Sequence, residues 1–263
     1  GFSNYNASVG AFDSAVIDAI ITFFMVLFGI NFALFYRVLV GGWRDALRSE
    51  ELHWYLALFA GSTLFVSLMI LPQYGTFLNA LRYGSFQVAT IMSTTGYATT
   101  DFNLWPQAVK ALIVVLMFIG SCAGSTAGGI KVVRVGILCK LGCREVRRTF
   151  QPRKVQVVRF EGKGVEENRL TQVSAFFFVY VLLVLAGMFL VSLEGLYDLE
   201  TNFTAVLTCI SNVGPGLGHV GPVENFSGYG PFAKVVLSLL MLAGRLELFP
   251  ILVLFHPSAW RKG

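Results

Sequence analysis

Two short stretches of this chain carry residues suited to one kind of chemistry, the coordination of a bare cation. The first is Ser93-Thr94-Thr95-Gly96-Tyr97 and the second is Ser211-Asn212-Val213-Gly214-Pro215-Gly216. A dehydrated cation needs several oxygens at close, repeated distances. Backbone carbonyls supply them when the chain is extended and glycine admits φ values that other residues avoid. Thr94, Thr95, Gly96 and Tyr97 offer successive carbonyls, with threonine hydroxyls as further oxygens; Ser211, Asn212, Val213 and Gly214 offer the same. A single turn of this kind is a weak signal, and its plain alternative is a tight loop between helices. Here the turn occurs twice. Each copy follows a short, mixed-polarity segment and precedes an apolar run in which lysine and glycine are spaced alike, Lys110 with Gly120 and Lys234 with Gly244. An internal repeat of that form is a fold-level feature.

The surrounding elements must deliver those turns into a place without water. Hydrophobic residues make up 55% of the 263 residues and charged residues 13%, against about 25% charged in an ordinary soluble domain. Mean hydropathy is +0.67. Apolar runs cover residues 10–40, 52–73, 106–120, 168–193 and 231–256, most of them near the roughly 20 residues a membrane span requires. Residues 77–92 and 201–211 are shorter and more polar, with Asn79, Arg82, Ser85 and Gln87 in the first. Such segments are expected to be re-entrant, entering and leaving on one side. Irregular backbone at membrane depth is tolerated only where protein buries it or it lines a water-filled cavity, so two short segments in matching places mark the site. Their C-termini would aim about half a negative charge toward the bilayer centre. The expected fold is therefore an all-α integral membrane protein, built from repeats of transmembrane helix, re-entrant pore helix, filter loop and transmembrane helix.

A second unusual run is Gly120-Ser121-Cys122-Ala123-Gly124-Ser125-Thr126-Ala127-Gly128-Gly129-Ile130-Lys131. Each glycine costs about 1 kcal/mol inside a helix, so this run predicts a break in the middle of a long apolar element. Helix packing through small residues is the alternative; a mobile intramembrane segment beneath the filter is the reading favoured. Neither this run nor Gly214–Gly218 has the Gly-Lys-Ser/Thr end or the strand-turn-helix setting of a phosphate loop. Arg245 follows Gly244 inside the last apolar run. An intramembrane charge is costly unless paired, either with Glu247 or with backbone carbonyls, and at this level it is placed to meter cations and tie down the mobile segment. Cys139 and Cys143 lack the histidine partners of a zinc site, and His53, His219 and His256 are scattered, so no catalytic set assembles.

Charge gives the orientation. Ten basic residues lie between positions 131 and 163, opposed by Glu145 and Glu161; on the positive-inside rule this loop is cytoplasmic, together with residues 37–51 and the C-terminal Arg261-Lys262. Membrane topology accounts for these charges and nucleic-acid binding is not expected. Within the loop, residues 155–165 read as a small hairpin with a Gly turn. The opposite side carries Asp101, Glu194, Asp198, Glu200 and Glu224, either an acidic mouth that concentrates cations or a solvated face.

These residues together resemble the Trk/Ktr/HKT superfamily of potassium transporters, and within it the bacterial Trk-type membrane subunit. The matching pieces are Ser93–Tyr97, the run ending Ala127-Gly128-Gly129-Ile130-Lys131, Ser211–Gly216, and Ala243-Gly244-Arg245-Leu246-Glu247. The resemblance implies four repeats around one pore, with Gly96 and Gly214 as the filter glycines of the third and fourth. Residues 120–131 would be the gating loop, carrying Gly120, Gly124, Gly128, Gly129 and Lys131, and Arg245 the pore-facing arginine. K+ would be bound in the pore at Thr95, Gly96, Asn212 and Val213, with no organic cofactor. The same alignment sets Gly1-Phe2-Ser3 against Gly96-Tyr97-Ala98, making Gly1 a remnant of the second filter and the chain a fragment or half of a split gene. Residues 1–51 would then end the second repeat, 52–167 form the third and 168–263 the fourth. The resemblance also implies a multi-pass protein of the cytoplasmic (inner) membrane with outward-facing filters, a homodimer, and a cytosolic ring of nucleotide-binding regulatory subunits. Two other readings follow from the residues alone: a different broken-helix secondary transporter, or a non-conducting membrane scaffold.

Overall fold

The computed structural model describes residues 3–151 and 156–245. Gly1, Val155, Glu247, His256 and Arg261-Lys262 lie outside the described residues. The molecule is almost wholly helical, and its long helices are apolar on all sides, as a lipid-facing helix is. Helix α4 (Glu50–Tyr74) and helix α8 (Glu167–Ser192) are each long and apolar enough to cross a membrane. A third candidate is the pair α1 (Ala15–Phe28) and α2 (Phe32–Leu39), bent by 89° at the break between them. Hydropathy alone reads residues 10–40 as one run, so the bend is a departure from the sequence expectation. Its cause is local. Asn31 caps α2 by accepting a hydrogen bond from the Ala33 N–H at 2.9 Å, and Gly29 lies against the Tyr55 hydroxyl, where a side chain would collide. The linker after α2 folds into a short helix, α3 (Trp43–Leu47).

Between the long helices lie the two short ones. Helix α5 (Phe77–Met92) starts at Thr76, whose Oγ1 accepts from the Asn79 N–H at 3.4 Å. Helix α9 (Leu199–Ser211) starts at Asp198, which accepts from the Thr201 N–H at 3.2 Å. These are ordinary side-chain caps, and both helices match the short segments read from the sequence. The hydrogen bond to Thr201 holds the Asp198 carboxyl below the usual carboxylate range. Its contribution to the fold is present at neutral pH and is lost as the pH falls through that lowered value.

One apolar core joins α4, α5, α8, α9, helix α6 (Gln107–Phe118) and helix α10 (Pro231–Arg245). The lower half of α5 and nearly all of α9 are buried. Against α4, the approach is set by Gly84 facing the buried Ser67, small residues that let two backbones close in. Pro72 reads as a stop in the sequence, yet α4 continues to Tyr74. Proline removes a helix donor, and one turn from the end that loss is tolerated, since the Gly75 N–H closes the helix on Leu71.

Helix α6 ends at Phe118 and helix α7 (Val132–Phe150) begins after thirteen intervening residues, so the glycine-rich break falls where the sequence places it. The described part of the basic segment closes as a two-stranded hairpin, β1 (Arg159–Phe160) with β2 (Lys163–Gly164).

The first short helix is also pinned by charge. Asp18 on α1 is 3% exposed and accepts from Arg82 Nε on α5 at 2.6 Å. Breaking a buried pair leaves an uncompensated charge, at about 3–5 kcal/mol. With Arg82 partly exposed, D18A is expected to destabilise the bundle by about 3 kcal/mol, read as a lowered Tm in detergent. The D18A/R82A double variant is expected to lose less than the sum of the single losses.

Candidate ion pathway

The two glycine turns have the same backbone. Each short helix is followed by a residue in the left-handed region, Thr94 (φ +53°) after α5 and Asn212 (φ +56°) after α9. Two residues on comes a glycine with positive φ, Gly96 (+78°) and Gly214 (+118°). In between, the Thr95 N–H donates to the Thr90 carbonyl and the Val213 N–H to the Thr208 carbonyl, both at 2.9 Å. A left-handed residue costs little as glycine and more as threonine or asparagine, so two non-glycine examples at equivalent places make the repeat a repeat of conformation as well as of sequence.

The turns abut. A methyl group on Gly96 would overlap the Val213 carbonyl oxygen, and one on Gly214 would sit 3.6 Å from Gly96 Cα. Gly96 is therefore required twice over, by φ and by the neighbouring turn, and Gly214 by φ. Among the described residues, no group donates a hydrogen bond to the carbonyls of Thr94, Thr95, Gly96, Tyr97, Asn212, Val213 or Gly214. Gly96 and Val213 are buried and the other five residues half-buried, so the two facing turns present a partly shielded array of carbonyl acceptors. The side-chain oxygens are less available than the sequence suggests. The Thr94 hydroxyl accepts from the Gly128 N–H at 2.9 Å, and the Ser93 and Thr95 hydroxyls pair at 2.7 Å. Gly1 lies outside the described residues.

The glycine-rich segment sits directly under both turns. Its neck is closed by Gly120 N–H to the Ile130 carbonyl (2.8 Å) and Ile130 N–H to the Phe118 carbonyl (3.0 Å). Ser121 Oγ donates to the Met92 carbonyl at 2.7 Å, joining the segment to the end of α5. Gly128 lies against the Ser211 carbonyl so closely that a methyl group would overlap it, joining it to the end of α9. Arg245 Nη1 donates to the Thr126 carbonyl at 2.8 Å, and Lys131 Nζ donates to the Ala127 carbonyl. Arg245 is thus satisfied through a backbone carbonyl, one of the two pairings its setting allows. Beneath the segment is a cavity of about 370 Å³ lined by residues 124–129 with Lys131, Arg134, Tyr180 and Arg245. Gly120, Gly124, Gly128, Gly129, Lys131 and Arg245 are therefore brought together, below Thr94–Tyr97 and Asn212–Gly214.

The acids opposite the basic loop are mostly engaged in local structure. Glu194 accepts from the Gly230 N–H (2.8 Å) and the Ala233 N–H (2.9 Å) at the start of α10. Asp198 caps α9, and Asp101 accepts from the Asn103 N–H. Helix capping accounts for these three. Two contributors escaped the sequence reading: Thr208, whose hydroxyl accepts from the Gly214 N–H at 2.9 Å and donates to the Pro215 carbonyl at 3.2 Å, and Tyr180, whose hydroxyl pairs with Ser211 at 2.7 Å. A threonine three residues before a turn, or a tyrosine in an apolar span, carries no local signal of such a role.

Helices that alternate long and short around two matched turns, with apolar helices of spanning length among them, give this chain a multi-pass membrane architecture. Its sequence matches the cation transport protein family, TrkH, over residues 1–262, and the chain belongs to that family. It is 37% identical to the Trk system potassium uptake protein TrkH of Salmonella typhimurium, over all of this chain and 54% of that protein. It is 35% identical to TrkH and 31% identical to TrkG of Escherichia coli, with the same coverage. The crystal structure of the potassium transporter TrkH from Vibrio parahaemolyticus superimposes with a TM-score of 0.92 at 34% identity, covering 99% of this chain and 56% of that one. The chain thus spans about half the length of the relatives it matches. Those relatives are named for ion uptake, a transport role and not a catalytic one.

Packing under the turns generates a contrast within one residue type. Gly142 on α7 has open space where a Cβ would go, so G142A is expected to stabilise by up to about 1 kcal/mol, the helix preference of alanine. G128A must push the glycine-rich segment away from Ser211 and is expected to lower the Tm. Thermal unfolding of the two variants in the same detergent checks both signs.

Proposed function

We propose that this chain supplies two walls of a four-walled K+ pathway and serves potassium uptake across the cytoplasmic membrane. Helices α5 and α9 are the re-entrant pore helices. The turns 94–97 and 212–214 are filter loops, and K+ is held by backbone carbonyls at Thr95, Gly96, Asn212 and Val213. Residues 120–131 are the gate, with Lys131 and Arg245 setting its height and its charge. Residues 1–51 close the second repeat, with Gly1 belonging to its filter, while 52–167 and 168–263 make the third and fourth. The filters face outward; residues 37–51, 131–167 and the C-terminus face the cytoplasm.

One observation carries this reading: two turns of matching form, in contact at Gly96, whose carbonyls have no donor among the described residues. A scaffold has no need of facing rows of unpaired carbonyls, whereas a dehydrated cation is coordinated by them. The family relatives are named for potassium uptake, which selects K+ among cations. The remaining walls, a second copy of the membrane subunit and a cytosolic nucleotide-binding regulatory ring are assigned on family likeness. The basic face of α7 and the hairpin is the side on which such a ring would dock.

Gly96 is the position that tests this directly. In the full-length polypeptide carrying this chain, G96A introduces a side chain at positive φ and against the Val213 carbonyl. Uptake of labelled Rb+ or K+ into vesicles is expected to fall to background, with the variant inserted in the membrane at normal levels. Undiminished uptake by G96A would remove the filter assignment.

A further inference from the structure

The glycine-rich segment is held differently in its two halves. Its tip and second half, residues 125–130, touch the groups already assigned to the pathway: Thr94, Ser211 and Arg245. Its first half touches none of them. The Cys122 N–H donates to the Gly29 carbonyl at 3.1 Å, and the Phe32 N–H donates to the Gly124 carbonyl at 3.3 Å, both at the bend between α1 and α2. The Ala123 N–H donates to Glu51 Oε1 at 2.6 Å. Glu51 is a carboxylate on the first turn of α4, only 6% exposed, and one turn before Tyr55, whose hydroxyl donates to the Val26 carbonyl at 3.1 Å. A buried carboxylate is costly unless it has a defined partner; the first turn of α4 favours an acid there, and the Ala123 N–H is its partner across the fold.

The backbone next to Glu51 is held from the other side by the hairpin. Glu161 Oε1 accepts from Ser49 Oγ at 2.8 Å and from the Glu51 N–H at 3.0 Å. In return the Glu161 N–H donates to Glu50 Oε2 at 3.1 Å, and Lys140 of α7 donates to Glu50 Oε1 and to the Arg159 carbonyl. This reciprocal cap has the logic of a capping box, built between residues more than a hundred positions apart. Glu161 occupies the first central position of the hairpin turn, before Gly162, with φ +53°. Turns with two positive φ values favour Asn, Asp or Gly there. A glutamate held in that strained conformation is explained by its carboxylate.

We propose that Glu51 is a positioning residue that ties the first half of the glycine-rich segment to the basic hairpin, so that displacing the hairpin displaces the segment. The connection runs from the Glu161 carboxylate to the Glu51 N–H, and from the Glu51 carboxylate to the Ala123 N–H. It fixes the first half of the segment, while residues 125–130 are held separately by Thr94, Ser211 and Arg245. The hairpin is the handle by which a partner bound on the basic face shifts the gate. This rests on reading residues 120–131 as the gate.

The test uses the full-length polypeptide in proteoliposomes, with labelled Rb+ flux as the readout. E51A is expected to raise basal flux severalfold, and E51Q, which keeps an acceptor for the Ala123 N–H, to restore it toward the parent value. E161G relieves the turn strain while removing the carboxylate, so the hairpin still folds, and it is expected to raise flux in the same direction. Because both variants cut one connection, E51A/E161G is expected to match E51A alone and not the sum. Parent-like flux in E51A and E161G, additive effects, or an E51Q indistinguishable from E51A would each overturn the proposal. Should E51A fail to insert, E161G against the parent decides. Deletion of residues 125–129 is run beside them. If the deletion raises flux and the point variants do not, the tie fails and the gate stands; if the deletion also leaves flux unchanged, the gate reading itself fails.

Discussion

The structure is arranged around two facing turns whose backbone carbonyls have no donor among the described residues. Inside an apolar environment a chain must satisfy its own polar groups, which is why helices dominate. Here seven carbonyls on two facing turns have no donor among the described residues. Rows of carbonyl oxygens facing one another are the acceptors a dehydrated cation needs. The rest of the fold holds them in place. Short helices α5 and α9 deliver the turns, Thr94 and Asn212 adopt left-handed backbone to turn the chain, and Gly96 and Gly214 let the turns touch.

Holding such an array takes a frame made of more than apolar packing. Asp18 and Arg82 lock α5 to α1. Thr208 braces the second turn through two hydrogen bonds, and Tyr180 reaches from α8 to Ser211 at the end of α9. The glycine-rich segment fills the space beneath, contacting Met92, Thr94 and Ser211. Its small residues serve close approach, as at Gly128, and its breaks at Phe118 and Val132 let it leave the helical path. Both readings of the segment from sequence, packing by small residues and an interruption beneath the turns, describe the same backbone.

The site was more legible in the sequence than the frame. The duplicated turns, the short helices before them and the glycine-rich break are all local signals of composition and length, and the structure has them at the same residues. The 89° bend in residues 10–40 was hidden because its causes, an Asn31 cap and a Gly29 contact with Tyr55, involve one ordinary polar residue and a partner 26 positions away. The stop at Pro72 misled because proline's cost depends on its distance from the helix end. The acids of the outer loops read equally as a mouth or as a solvated face, and three of them turned out to be helix caps. The Glu51–Ala123 and Glu161–Ser49 contacts join residues 72 and 112 positions apart, beyond the reach of any pattern in the chain.

Family membership over nearly the whole sequence, with about half the length of each relative matched, is consistent with two walls of a larger pathway. The central claim is that the free carbonyls of the two turns bind a dehydrated monovalent cation. Its most direct test is a structure of the full-length protein prepared in Rb+ or Tl+, with anomalous scattering measured at the turns. The account predicts a cation peak bounded by the carbonyls of Thr95, Gly96, Asn212 and Val213. Ordered density elsewhere in the protein with no anomalous peak between the turns would contradict it.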